Sequence, residues 1–296
     1  MNEDIEVHGS SGPPVLLLPG GHVSCHGFYP GYPEALVADP GARVIVHDRP
    51  GTGKSMVPGT LAGASEHLHA LVHRLGMGPV VVVGQSLGGD VALLFARDFP
   101  EDVAGLVLLD PVPCGDADVA RLLERRYAVL AGAARVPPLR RLIRRAMRAK
   151  AEREITARGL RGSVAEALEW SADIDVRELA RALEGLCALA EDFRESDLPR
   201  GVPAAVVSAD HEPGRIGDGA RAAHARVAAR AGRTGHPLAG YLAQPPPRTA
   251  RADHRRHPRG RTPNDEPCLT AARFPLFRPR PARSGRYRMT YQEAPP

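Results

Sequence analysis

Apolar residues in this chain first gather in short unbroken runs. Val15-Leu16-Leu17-Leu18 and Arg43-Val44-Ile45-Val46-His47 each end in a glycine-proline loop and lack polar alternation, the pattern of parallel strands buried on both faces. Between Ser65 and Gly76 the spacing changes: Leu68, Leu71, Val72 and Leu75 recur at helical intervals and Gly76 supplies a stop. Four valines, Val80 to Val83, then predict a buried strand, and Asp90 to Arg97 predict the helix after it. A further run, Leu106 to Leu109, closes on Asp110-Pro111. Strands alternating with helices argue for a doubly wound, mostly parallel α/β sheet.

From about Asp116 to Asp197 strands vanish, and alanine, leucine, arginine and glutamate recur at helical spacing. A strand resumes from Val202 to Ala209, so residues 113–200 read as a helical insert over the carboxyl edge of the sheet, between core segments 1–112 and 201–244. Arg140, Arg141, Arg144, Arg145 and Arg148 form a basic stripe within it, expected to be a solvated helix face. Leu122, Leu130, Leu139, Ile143 and Leu186 have the spacing of packed helix faces. Gly219 to Ala231 predict one more helix.

Charge redraws the end of this picture. The formal net charge is +5, but residues 245–296 carry twelve arginines against four acids, so that segment holds +8 and the other 244 residues about −3. Rich in proline and arginine, with few large apolar residues, segment 245–296 is expected to be disordered, because it cannot bury enough surface to offset the entropy of ordering. No specific nucleic-acid partner is expected of it, since it lacks aromatic interleaving and a folded module to orient it. The acidic start, Met1 to Glu6, and the absence of any apolar run near eighteen residues predict a cytoplasmic protein without membrane insertion. Cys25, Cys114, Cys187 and Cys268 show neither pairing nor zinc-ligand spacing, so no structural metal and no cofactor are expected, and Cys25 reads as a reduced core thiol.

The candidate chemistry lies where the valine strand meets its helix, in Gly84-Gln85-Ser86-Leu87-Gly88-Gly89. A strand that turns into a helix within about four residues throws the intervening side chain into a sharp bend with its hydroxyl at the tip. Gly84 and Gly88 let the two arms approach. A serine hydroxyl is a weak nucleophile, so it requires a base within hydrogen-bond reach and a carboxylate to orient that base. Asp210 and Glu212 follow the strand Ala204 to Val207, and His236 follows the next helix, in the order acid and then histidine.

Together Leu18-Pro19-Gly20-Gly21, Asp48-Arg49-Pro50-Gly51-Thr52-Gly53-Lys54-Ser55, the Ser86 hexapeptide, Leu108-Leu109-Asp110-Pro111 and Gly235-His236-Pro237 resemble the α/β-hydrolase family over roughly residues 13 to 244. The resemblance implies Ser86 as nucleophile, His236 as general base and an acid after a late strand. Asp210 ranks first, with Glu212 and Asp110 as alternates. It also implies an oxyanion hole built from the backbone N–H groups of Gly21 and Leu87, and a lid formed by the helical insert. The expected function is a serine hydrolase cleaving a small ester, thioester or amide-like acyl substrate through an acyl-enzyme. The rival expectation is a catalytically impaired relative that binds a ligand or partner, with the basic tail as an adhesive arm. One departure stands out: only Arg233, Thr234 and Gly235 separate Gly232 from His236, so either the preceding helix ends early or the last strand is missing.

Overall fold

The computed structural model describes residues 5–29, 31–112, 115–159, 173–209, 214–230 and 236–237. Asp210, Glu212, Cys114, Cys268 and the basic segment 245–296 lie outside the described residues.

Among the described residues seven strands form one sheet: β1 (Ile5–His8), β2 (Pro14–Leu18), β3 (Arg43–His47), β4 (Val80–Gln85), β5 (Val103–Leu109), β6 (Ala204–Ser208) and β7 (His236–Pro237), in the spatial order β1-β3-β2-β4-β5-β6-β7. Only β1 runs antiparallel, against β3; all other pairs are parallel. The unbroken apolar runs have a direct cause in the layers on both sides. Leu16, Leu18, Ile45, Val80, Val82, Leu106 and Leu108 face one core with helices α3 (Ala64–Leu75) and α4 (Leu87–Asp98). Their immediate neighbours Val15, Leu17, Val44, Val46, Val81, Val83 and Val107 face a second core, which includes Cys25 and Phe28 from α1 (Cys25–Phe28) and Leu36 from α2 (Tyr32–Ala38). Alternate side chains enter opposite layers, so no position on these strands is left for a polar face.

Helix α3 stops where Gly76 adopts a left-handed conformation (φ 60°) and its N–H returns to the carbonyls of Val72 and His73. Between β5 and β6 the described residues form helices α5 (Ala117–Ala133), α6 (Pro137–Arg158), α7 (Val176–Ala182) and α8 (Leu186–Asp192). Asp116 caps α5 by accepting from Val119 N, and Asp175 caps α7 by accepting from Arg177 N. The Glu124 carboxylate on α5 reaches the start of α8 and accepts from the N–H groups of Gly185 and Cys187, each at 3.0 Å. Leu186 and Phe193 then sink into the sheet's core. Leu122 and Leu139 depart from the packed faces that their spacing predicts, at 39% and 43% exposed, because α5 and α6 turn these edges away from the sheet.

Helix α9 (Arg215–Arg230) returns the chain across the sheet. It ends before Gly232, which leaves room for His236 and Pro237 to pair with Val207 and Ser208. The last strand is therefore present, two residues long, and His236 begins it. No described helix is long and apolar enough to cross a membrane.

Candidate active site

Strand order alone points to one place on this sheet. After β2 the chain moves outward to β3, then crosses back to add β4 on the other side of β2. The carboxyl ends of β2 and β4 thus flank a switch in winding direction, where the loops diverge and leave a crevice. Gly20 and Gly21 follow β2; Ser86 follows β4.

Ser86 sits at φ 49° and ψ −121°, a left-handed backbone that a non-glycine residue holds only when its surroundings enforce it. Those surroundings are specific. Ser86 N donates to Leu109 O on the neighbouring strand, and Ser86 O accepts from Gly89 N at 2.8 Å and from Val112 N at 3.3 Å. A Cβ at Gly84 would collide with the Gly88 carbonyl, and one at Gly88 would collide with Leu18 O and stand 2.6 Å from Pro19 O. These two glycines let strand, helix and the β2 loop converge on the serine, whose own side is left half-buried. A Cβ at Gly20 would stand 3.0 Å from Ser86 Cβ, so the β2 loop lies directly against the candidate nucleophile.

Gly21 (φ 57°) is held from two directions. Arg49 Nη2 donates to its carbonyl at 3.1 Å, and the Leu179 side chain of α7 lies 3.1 Å from where a Cβ would project. The helical insert thus touches the β2 loop. Leu87 is the first residue of α4, where helix N–H groups have no partner one turn back and the helix dipole favours negative charge.

The loops are tied by buried charge. Asp48 accepts from Cys25 N at 2.6 Å and Lys54 N at 2.8 Å, joining the segment after β3 to the one after β2. Burial lowers the Arg49 guanidinium to about 10, with Asp48 and then Asp90 pulling the other way. Asp90, on the first turn of α4 and 1% exposed, is pushed well above the usual carboxylate range by burial, against the pull of Arg49. His22 is lowered by burial, opposed by Glu178 and Asp175 of the insert. Burial also raises the Cys25 thiol to about 12, as suits an unreactive core cysteine.

One strand further along, Asp110 also adopts a left-handed backbone (φ 49°). Its N–H donates to Val207 O at 2.6 Å and its Oδ1 accepts from Ala209 N at 2.9 Å, so the carboxylate leans toward the end of β6. His224 of α9, 3% exposed, is clamped beside it: Nε2 lies 2.7 Å from Pro111 O, Nδ1 2.8 Å from Ser208 Oγ and 3.9 Å from Asp110 Oδ1. A carbonyl only accepts, so Nε2 donates to Pro111 O while Nδ1 meets the Ser208 hydroxyl. His224 is thereby fixed as a bolt between α9 and the ends of β5 and β6.

The structure brings Ser86, Gly21 and Leu87 to one corner and sets Asp110 on the adjacent strand. His236 is placed by its backbone alone, at the sheet edge beside Val207. Asp210 and Glu212 fall outside the described residues. Sequence reasoning missed Arg49, Asp90 and His224. Arg49 lies within a quoted motif and Asp90 just after one, whereas nothing in the sequence marked His224.

Residues 13–137 match the model of the α/β hydrolase fold family. Over 124 residues the chain is 38% identical to "Lipase LipV" of Mycobacterium tuberculosis, covering 40% of this chain and 44% of that protein. Over 106 residues it is 33% identical to "Proline iminopeptidase" of Lactobacillus helveticus, covering 33% of this chain and 36% of that one. The chain thus spans less than half the length of these curated relatives. A thermophilic esterase from Thermogutta terrifontis, solved with malate bound, superposes with a TM-score of 0.53 at 26% identity, over 79% of this chain and 83% of that one.

Proposed function

Because this chain has the α/β-hydrolase fold and its matched relatives are hydrolases, we propose that it is a serine hydrolase cleaving a small ester, thioester or amide-like acyl substrate, with Ser86 as nucleophile. The observation that carries this reading is the left-handed Ser86 backbone at the β4–α4 crossover, with the Gly20-Gly21 loop packed against it. Enforced strain at a half-exposed serine has a use if the hydroxyl must project into a crevice.

In this mechanism Ser86 Oγ attacks the acyl carbonyl while His236 takes its proton, and a carboxylate holds the imidazole in the tautomer that accepts it. Asp210 is the first choice for that carboxylate; Glu212 and Asp110 are the alternates. The N–H groups of Gly21 and Leu87 meet the oxyanion, and Arg49 holds the next peptide of the same loop through the Gly21 carbonyl. The imidazolium then protonates the leaving group, and water activated by the same histidine releases the acid. Residues 113–200 shape the acyl pocket from above. No cofactor takes part, and the protein works in the cytoplasm.

A fluorophosphonate probe tests the proposal. The folded chain is expected to label promptly, Ser86→Ala to abolish labelling, and Ser86→Ala to lower ester turnover by roughly 10⁴-fold or more with thermal unfolding unchanged. Asp210→Asn, Glu212→Gln and Asp110→Asn assayed alongside identify the acid as the one whose loss costs about 10⁴-fold. Folded protein that fails to label overturns the nucleophile and leaves a ligand-binding relative of the fold.

A further inference from the structure

At the amino ends of the central strands three side chains converge that the hydrolase reading does not use. His69 and His73 lie four residues apart on α3, and thus on one helix face. The short turn Pro100–Asp102, between α4 and β5, brings Asp102 against them. Asp102 Oδ2 is 2.6 Å from His69 Nδ1, and Asp102 Oδ1 is 3.1 Å from His73 Nε2. One nitrogen from each imidazole and a carboxylate oxygen all lie within 4.8 Å of one another.

The burial is graded in a way that suits a ligand arriving from solvent. The Asp102 side chain is 7% exposed, His69 36% and His73 61%. The anion is held at the bottom, fixed in part by the Asp102 N–H donating to Phe99 O at 3.1 Å. His69 is held by stacking on Phe99, with centroids 4.1 Å apart and planes 13° apart. His73 is the exposed outer member.

We propose that His69, His73 and Asp102 bind a divalent transition-metal ion, with Zn²⁺ as the best match. Two imidazoles and a carboxylate form a donor set for Zn²⁺, Ni²⁺ or Cu²⁺ rather than Mg²⁺ or Ca²⁺, which prefer oxygen throughout. Zn–N and Zn–O bonds of about 2.0–2.2 Å require donors roughly 3.3–3.5 Å apart in a tetrahedron. A small rotation of the exposed His73 meets that spacing, and solvent supplies the fourth ligand. The ion takes the place of the proton between each imidazole nitrogen and the carboxylate, and each ring carries its remaining proton on the other nitrogen. It would clasp α3 to the turn that launches β5. Asp102 precedes β5, whose Val103 pairs with Val80 at the start of β4, whereas Ser86 follows the far end of β4, so the two sites stand about 20 Å apart. The clasp is therefore a stabilising site, separate from the proposed acyl chemistry and independent of it.

Zn²⁺ titrated into chelator-treated full-length protein, followed by calorimetry and thermal unfolding, tests the site. One equivalent is expected to bind and raise Tm, Mg²⁺ to do neither, and Co²⁺ to give visible absorption of a nitrogen-oxygen site. His73→Ala removes an exposed side chain and should fold normally, yet lose the Co²⁺ band and weaken Zn²⁺ binding at least tenfold. The double variant His254→Ala/His257→Ala, which alters histidines elsewhere in the chain, should change neither. Wild-type affinity and Co²⁺ absorption in folded His73→Ala overturn the proposal, as does the absence of any Zn²⁺ response in the wild-type protein.

Discussion

Helices α4 and α6 are built from the same backbone and live in opposite worlds. Of the twelve residues of α4, ten are buried, including two glycines and an aspartate. Of the 22 residues of α6, Ala151 alone is buried among the described side chains. Helix α4 holds its place by packing on the sheet. Helix α6 owes more to composition: arginine, alanine, glutamate and leucine are strong helix formers, prolines open its first turn, and Gly159 ends it at φ 63°. Its charges are met at the surface, as where Arg148 grips both oxygens of Asp173. A helix shaped by packing is fixed in place by its neighbours; one shaped by propensity keeps its form with few of them.

Truncating one leucine in each helix is the sharpest way to break this contrast. Leu93 is 1% exposed on α4 and Leu142 61% exposed on α6. Leu93→Ala is expected to cost about 2–5 kcal/mol in urea unfolding, from lost burial and the cavity left behind. Leu142→Ala should stay within about 0.5 kcal/mol. Equal losses would mean that something covers the apolar edge of α6 in solution.

Glycine gives the next largest effect, with opposite signs. A methyl group at Gly88 meets backbone carbonyls of the β2 loop, which cannot step aside, so Gly88→Ala is expected to cost about 1–3 kcal/mol or more. Gly132 lies in α5 with nothing within 4 Å of an added Cβ, so Gly132→Ala should gain about 0.5–1 kcal/mol through helix propensity. Thermal unfolding of the two variants checks both signs at once, and a shared sign refutes the distinction.

The same contrast explains what the sequence revealed. The strands from β2 to β5 were legible because burial on both faces leaves no polar position to confuse the period, and the elbow because Gly84 and Gly88 are dictated by close backbone approach. The helical insert was legible as helix, but the fates of Leu122 and Leu139 were not: spacing says which residues share a face, never whether another element covers it. Arg49, Asp90 and His224 were illegible for the converse reason. Polar residues read as surface unless tertiary packing encloses them, and their partners, such as Gly21 O for Arg49 and Pro111 O for His224, lie 28 and 113 residues away. His69 and His73 stand four residues apart in the sequence, but Asp102, which meets both, comes from another segment. The length of β7 was set by where α9 ends, which alanine and arginine alone do not fix.

Asp90 carries the comparison into electrostatics, where the expected effect is a slope with pH. Its carboxyl is raised by burial, opposed by Arg49, whereas Asp173 on the insert is exposed and lowered, chiefly by its hydrogen bond to Arg148. A raised folded value means that the native protein holds this proton to higher pH than the unfolded chain, where an aspartate titrates near about 3.9. The stabilisation is therefore complete below about pH 3.9 and is lost as pH rises through the folded value. Asn at this position keeps the shape and does not titrate. Asp90→Asn should match wild type at the acidic end and gain on it above about pH 4, by at most about 1.4 kcal/mol per pH unit, until the folded carboxyl has ionised. Taking the difference between two urea-unfolding profiles cancels every other titrating group, Asp175 with its value of about 2 included. Parallel profiles would show that Arg49 fully compensates the burial, and that α4 tolerates charge as easily as the exposed helix does.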